Sequence, residues 1–237
     1  MPTLSQLQEQ IDRLEGTQRR KLRTAPICDF IDKALPYNGL PLGCIHEVKS
    51  RDLASAIAFA ALLSARIPAT GSILYVAPDR SLYPPGLLPY GIRLEQWLHI
   101  FARQPDDLIW TVSEAIRCPQ VNAVLAVMKK TDLALCRRLQ LAAESSGATG
   151  FLLGNATSAP VASAITRWRI SSVNGPAGRG FDEAFWELEL SYCRGGRPGK
   201  WMVAWRNGRL EAFRFLSKVP IRPVRPNVFL PASAKAG

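Results

Sequence analysis

Few side chains in this chain have the types and spacings that covalent chemistry needs. There are two histidines, His46 and His99, and five cysteines, Cys28, Cys44, Cys118, Cys136 and Cys193, with no C-x-x-C pair among them. A zinc site draws four closely spaced ligands from such residues, and this set does not supply them. Ser145-Ser146 and Ser171-Ser172 have no positioned His–Asp partner, so an activated nucleophile is not expected. No carboxylate pair stands in an acid–base context. His46 lies between apolar residues beside Glu47 and reads as a hydrogen-bonded core histidine, and Cys118 and Cys136 read as buried. The expectation is a protein that is not an enzyme and takes no metal or cofactor.

What the chain does carry is cationic chemistry. Arg194, Arg197 and Lys200 bracket the glycine-rich run Arg194–Gly199, with Trp201 and Trp205 close behind. Such a hairpin offers charge to phosphates and an aromatic surface for stacking. Alternatively it is a solvated turn whose glycines serve geometry, with the tryptophans in the core. Arg167-Trp168-Arg169 on a strand places the tryptophan on one face and both arginines on the other. Arg222 and Arg225 extend the basic set into a proline-rich tail. The net charge of +11 is unevenly distributed: residues 1–25 carry +2, residues 26–193 are neutral, and residues 194–237 carry +9. A neutral body with a basic end attracts polyanions or acidic protein surfaces in a salt-sensitive way.

These groups need elements to position them. At 237 residues and 47% hydrophobic content, the chain supports one sizeable α/β domain. No apolar run reaches the roughly 18–20 residues of a membrane span, and the polar N-terminus has no signal-peptide core, so a cytoplasmic protein is expected. Leu4, Leu7, Ile11 and Leu14 define an amphipathic helix with a narrow apolar seam. Two heptads are too few to stand alone, so this helix docks on its own domain or on a partner. Strands are expected at Gly43–Val48, Ser72–Ala77, Val121–Val127 and Thr149–Leu153, and helices over 52–66, 106–117 and 131–146, with a short apolar run at Trp97–Phe101. That alternation predicts a mostly parallel sheet with helices on both faces. After residue 165 the pattern becomes antiparallel, with Arg167–Val173, Ala184–Tyr192, Lys200–Trp205 and Arg209–Phe215 as strands and Asn207-Gly208 as a two-residue hairpin turn. The expected organisation is a helix and basic linker over 1–25, a core over 26–217, and an extended tail over 218–237.

The run LPLGCIHEV (40–48) resembles the strand that opens the RecA ATPase core, and residues 73–107 resemble the segment that follows it there. In that superfamily the strand leads into a phosphate-binding loop, G-x-x-x-x-G-K-S/T. Here Ser50 and Ser55 fall on the glycines, Ala56 on the lysine and Ile57 on the hydroxyl residue. Val127 or Met128 stands where a metal-binding aspartate belongs, and Asp79 falls on the catalytic glutamate. The resemblance therefore implies a RecA-like fold without ATP chemistry. Within it, GLPLGCIHEV, APDRSLYPPGL (77–87), LCRRLQLAAESSGATGFLL (135–153), Thr166-Arg167-Trp168-Arg169 and CRGGRPGKWMVAW (193–205) resemble the ImuA family of RecA-like accessory proteins. That likeness implies a role in damage-induced translesion synthesis and mutagenesis. The implied partners are an ImuB-type polymerase-like protein, through it an error-prone DNA polymerase III catalytic subunit, and further RecA and DNA. Two other readings are a SulA-like cell-division inhibitor acting on FtsZ and a divergent ATPase holding nucleotide through Lys49 and Asp79.

Overall fold

A computed structural model describes residues 23–68, 71–128, 132–158, 160–161, 163–175 and 183–213. The helix seam Leu4, Leu7, Ile11, Leu14 and the tail residues Arg222 and Arg225 lie outside these. The chain opens with a short strand, β1 (Thr24–Ala25), a single helical turn, α1 (Asp29–Asp32), and β2 (Leu40–Pro41), which pairs antiparallel with β1. The strand–helix alternation follows: β3 (Ile45–Ser50), α2 (Leu53–Ala65), β4 (Ser72–Ala77), β5 (Trp97–Phe101), α3 (Pro105–Arg117), β6 (Val121–Val127), α4 (Leu133–Ser146) and β7 (Thr149–Asn155). The remaining strands are β8 (Thr166–Ser172), β9 (Ala184–Cys193), β10 (Gly199–Arg206) and β11 (Arg209–Ala212).

Nine of these strands form one sheet in the order β11-β10-β9-β8-β3-β7-β6-β4-β5. From β8 to β5 all neighbours run parallel, and β9 to β11 continue the sheet antiparallel. This is the RecA-like α/β architecture expected, with its antiparallel extension. β4 and β6 have the bounds read from the sequence. β3 starts two residues later than expected, because Gly43 has φ +68° and stands outside the strand. The run at Trp97–Phe101 is the edge strand β5, and the proline-rich stretch before it is wound into a 3-10 helix at Pro84–Tyr90. The Asn207-Gly208 turn is as expected: both residues have positive φ, 49° and 73°, the geometry that matches the twist of a two-residue hairpin.

Two cores lie on the two sheet faces. α2 is buried on every side from Ser55 to Ser64, as a helix without a polar face must be. It packs Phe59 against Trp168 (ring centroids 5.3 Å) and Trp186 (6.3 Å). On the opposite face α3 and α4 cover Ile45, Leu74, Val124 and Leu152 with Val112, Ile116, Leu135 and Leu139. Cys136 is buried as expected, whereas Cys118, at the end of α3, is only half-buried.

Candidate interaction site and the phosphate-loop position

Where β3 meets α2, a RecA-like ATPase would place its phosphate-binding loop. Free N–H groups at a helix N-terminus, together with the helix dipole, make a ready anion site. In this chain Asp52 caps that terminus. Its Oδ1 accepts a hydrogen bond from Ser55 N at 2.7 Å, and its Oδ2 accepts from Ser172 Oγ at 2.9 Å. Asp52 N donates in turn to Ser50 Oγ at 3.2 Å. A carboxylate of the chain thus sits at the end of the helix where a phosphate would lie. Ser55, Ala56 and Ile57, which fall on the loop's last glycine, lysine and hydroxyl positions, are all buried in the core.

Lys49 does not reach this place. Strand alternation sends it to the face opposite Ser50. There Nζ lies 2.9 Å from Glu47 Oε1 and donates to Ser158 O at 2.7 Å. Glu47 Oε1 also accepts from Val161 N at 2.7 Å, so this pair is buried with hydrogen bonds to satisfy it. Asp79 is exposed and accepts from Ser81 N at 3.0 Å. His46 is wholly buried, as read: its ring nitrogens lie 2.7 Å from Thr166 Oγ1 and 2.9 Å from Pro41 O. Burial lowers its pKa to about 4.

The cationic residues gather toward the other end of the sheet. Trp168 points into the α2 core, fully buried, with Nε1 donating to Thr166 Oγ1 at 2.9 Å, while Arg167 and Arg169 project from the opposite face. Arg167 donates from Nε to Val161 O at 3.1 Å and lies 4.7 Å over the Tyr192 ring, with Glu47 Oε2 at 4.0 Å. Arg169 lies 3.9 Å from Glu189, and Lys200 2.9 Å from Glu187. The hydrogen bond from Lys200 to Glu187 raises the lysine's pKa. The structure therefore brings Arg167, Arg169 and Lys200 onto one sheet face, interleaved with glutamates across the register Arg169↔Glu189 and Lys200↔Glu189.

Arg194 and Arg197 stand exposed on the β9–β10 turn at the rim of that face. The turn is pinned to the body: Arg197 N donates to Ala34 O at 2.8 Å and Arg194 N to Ile165 O at 2.9 Å. A Cβ at Gly196 would meet Ala34 O at 2.5 Å and Cys193 Sγ at 2.7 Å, so glycine is needed for this close approach. Trp205 belongs to the core, with Nε1 donating to Pro89 O at 3.0 Å, and Trp201 packs half-buried beside Trp168. The aromatic half of the hairpin is thus interior and the cationic half exterior. The sequence reading missed the Asp52 cap, although Asp before an apolar helix with Ser three residues on is a capping signal. It also missed the Glu47–Lys49 pair, although residues i and i+2 of a strand share a face.

Among the described residues no helix is long and apolar enough to cross a membrane, and no cluster of three or more metal-ligating side chains occurs. The fold defines a mixed α/β protein built on a large, mostly parallel sheet with an antiparallel extension, in which the chain's own Asp52 carboxylate caps the N-terminus of α2. Protein ImuA from two strains of Caulobacter vibrioides is 33% identical to this chain over 75% of its length and 83% of theirs. The chain belongs to the ImuA family. No protein-family profile matches it.

Proposed function

We propose that the chain is a non-catalytic adaptor of the DNA-damage-induced translesion synthesis machinery, the mutasome. It holds an ImuB-type polymerase-like protein and, through it, an error-prone DNA polymerase III catalytic subunit, with RecA and DNA as further contacts. Family membership supports the setting. The observation that carries the non-catalytic reading is the Asp52 carboxylate at the start of α2, where phosphate binding would have to begin. A carboxylate there repels the nucleotide's phosphates and leaves no room for the charge stabilisation that phosphoryl transfer needs. The exposed Arg194 and Arg197, with the basic tail beyond residue 213, supply the surface for an acidic partner or for DNA.

The test is light scattering of the chain alone and mixed with ImuB, at low and moderate salt. A complex that survives moderate salt is expected, and the Arg194→Glu/Arg197→Glu double variant should weaken it at least tenfold while keeping the melting temperature. Unchanged binding by that variant removes the turn from the interface, and no complex at all removes the adaptor reading. A magnesium–nucleotide complex should not alter the thermal melt. Binding at a hundred times its dissociation constant would add about 2.7 kcal/mol and would be seen.

A further inference from the structure

α3 turns Leu108, Val112, Ala115 and Ile116 inward and leaves Trp110 67% exposed, on the outer side of the helix. Helical spacing aligns Asp106, Trp110, Ser113 and Arg117 in one stripe along that outer side. Beside the stripe, between α3 and α4, runs a groove of about 310 Å³ with Ile109, Leu139 and Ala142 as its apolar walls. Leu141, 56% exposed, extends the apolar surface on α4. An exposed tryptophan beside an apolar cleft is the kind of residue that anchors an interface.

The charges around the groove point to its occupant. Asp106 and Glu114 are matched by Arg117 and Arg138, so the lining carries both signs and no net charge. Outside the lining, Asp107 on α3 and Arg137 and Glu144 on α4 keep the signs mixed. A surface of one sign selects an opposite partner, whereas a balanced surface with its signs set apart along a helix can complement itself. The stripe has that order, with Asp106 at the N-terminal end of α3, Arg117 at the C-terminal end, and Trp110 and Ser113 between them. A two-fold axis through the middle of α3, between Thr111 and Val112, sets two copies of the helix antiparallel. The same axis brings Asp106 opposite the second copy's Arg117 and Trp110 opposite the second copy's Ser113. Ser113 is small and its Oγ donates to Ile109 O at 2.7 Å, so an indole can cover it without stranding a donor. Among the described residues Asp106 and Arg138 have no ion pair. The Glu114–Arg117 pair, 2.8 Å apart, is exposed and therefore weak enough to give way to a pair across the axis. We propose that this face is a homodimer interface, with α3 of two copies packed antiparallel and each Trp110 seated over the other copy's Ser113, beside Ala142 of its groove. The inference does not depend on the adaptor reading.

The experiment is light scattering of the full chain over a dilution series. A monomer–dimer equilibrium is expected, and Trp110→Ser should raise its dissociation constant at least tenfold. The melting temperature at the dilute end should not change, because Trp110 lies outside the core. Asp106→Arg and Arg117→Asp each set like charges against one another across the axis, so each variant alone should dimerise more weakly. Mixed together, the two variants recover opposite charges at both ends of the stripe, and a heterodimer should form with an affinity near that of the unmodified chain. A chain that stays monomeric throughout the series overturns the proposal. So does a dimer indifferent to Trp110→Ser, whose interface then lies elsewhere. Failure of the mixed variants to recover association overturns it as well, since the antiparallel pairing of α3 requires that recovery.

Discussion

Asp52 and His46 show how single side chains set what this fold does. The Asp52 carboxylate satisfies one of the free N–H groups of α2 and interacts favourably with the helix dipole. Asp52→Ala should cost about 1 kcal/mol, within the usual range for loss of a cap, and lower the melting temperature by a few degrees. An unchanged melt would mean that Ser50 and Ser172 do not depend on the carboxylate for their order. His46 carries a pH dependence. Its folded-state pKa of about 4 lies below the ordinary 6.5, so between those values the unfolded chain binds the proton that the native core refuses. The neutral ring's contribution is complete above pH 6.5 and is lost as pH falls toward 4, amounting to roughly 3 kcal/mol. Burial raises the pKa of Asp32, which acts in the opposite direction at the acid end. His46→Gln should therefore be compared with the unmodified chain in melts from pH 7 to 4, where the variant's stability should fall less steeply. Parallel slopes would show that His46 is not the titrating group.

At the scale of elements, the β9–β10 turn shows how the cationic rim is held. Gly195 supplies a left-handed residue, φ +74°, and Gly196 lets the turn's backbone touch the segment after α1. Gly196→Ala would push against Ala34 O and break its bond with Arg197 N, a local overpacking that should destabilise by about 1–3 kcal/mol. A melt unchanged by that substitution would show that the turn can lift off at little cost. The strands and helices themselves were largely legible, because β4, β6 and α3 carry clean apolar patterns bounded by proline, glycine or polar residues. The Trp168 and Arg167/Arg169 division followed from strand alternation alone. The burial of the Glu47–Lys49 pair was not legible, since the backbone hydrogen bonds that complete it come from Val161 and Ser158, more than a hundred residues away. Nor was the glutamate interleaving around Arg169 and Lys200, which depends on register between strands and not on any local run.

For the whole molecule, the sequence divides charge along the chain and the sheet converts that division into distance. The arginine turn joins β9 to β10, near one edge of the nine-stranded order, and β5 closes the other. With strands about 4.8 Å apart, seven intervals separate β10 from β5 by roughly 34 Å. At physiological ionic strength electrostatic influence fades over about 8 Å. The sheet therefore acts as a rigid spacer several screening lengths wide. Charge at the arginine rim is thus screened from the side chains of the β5 edge.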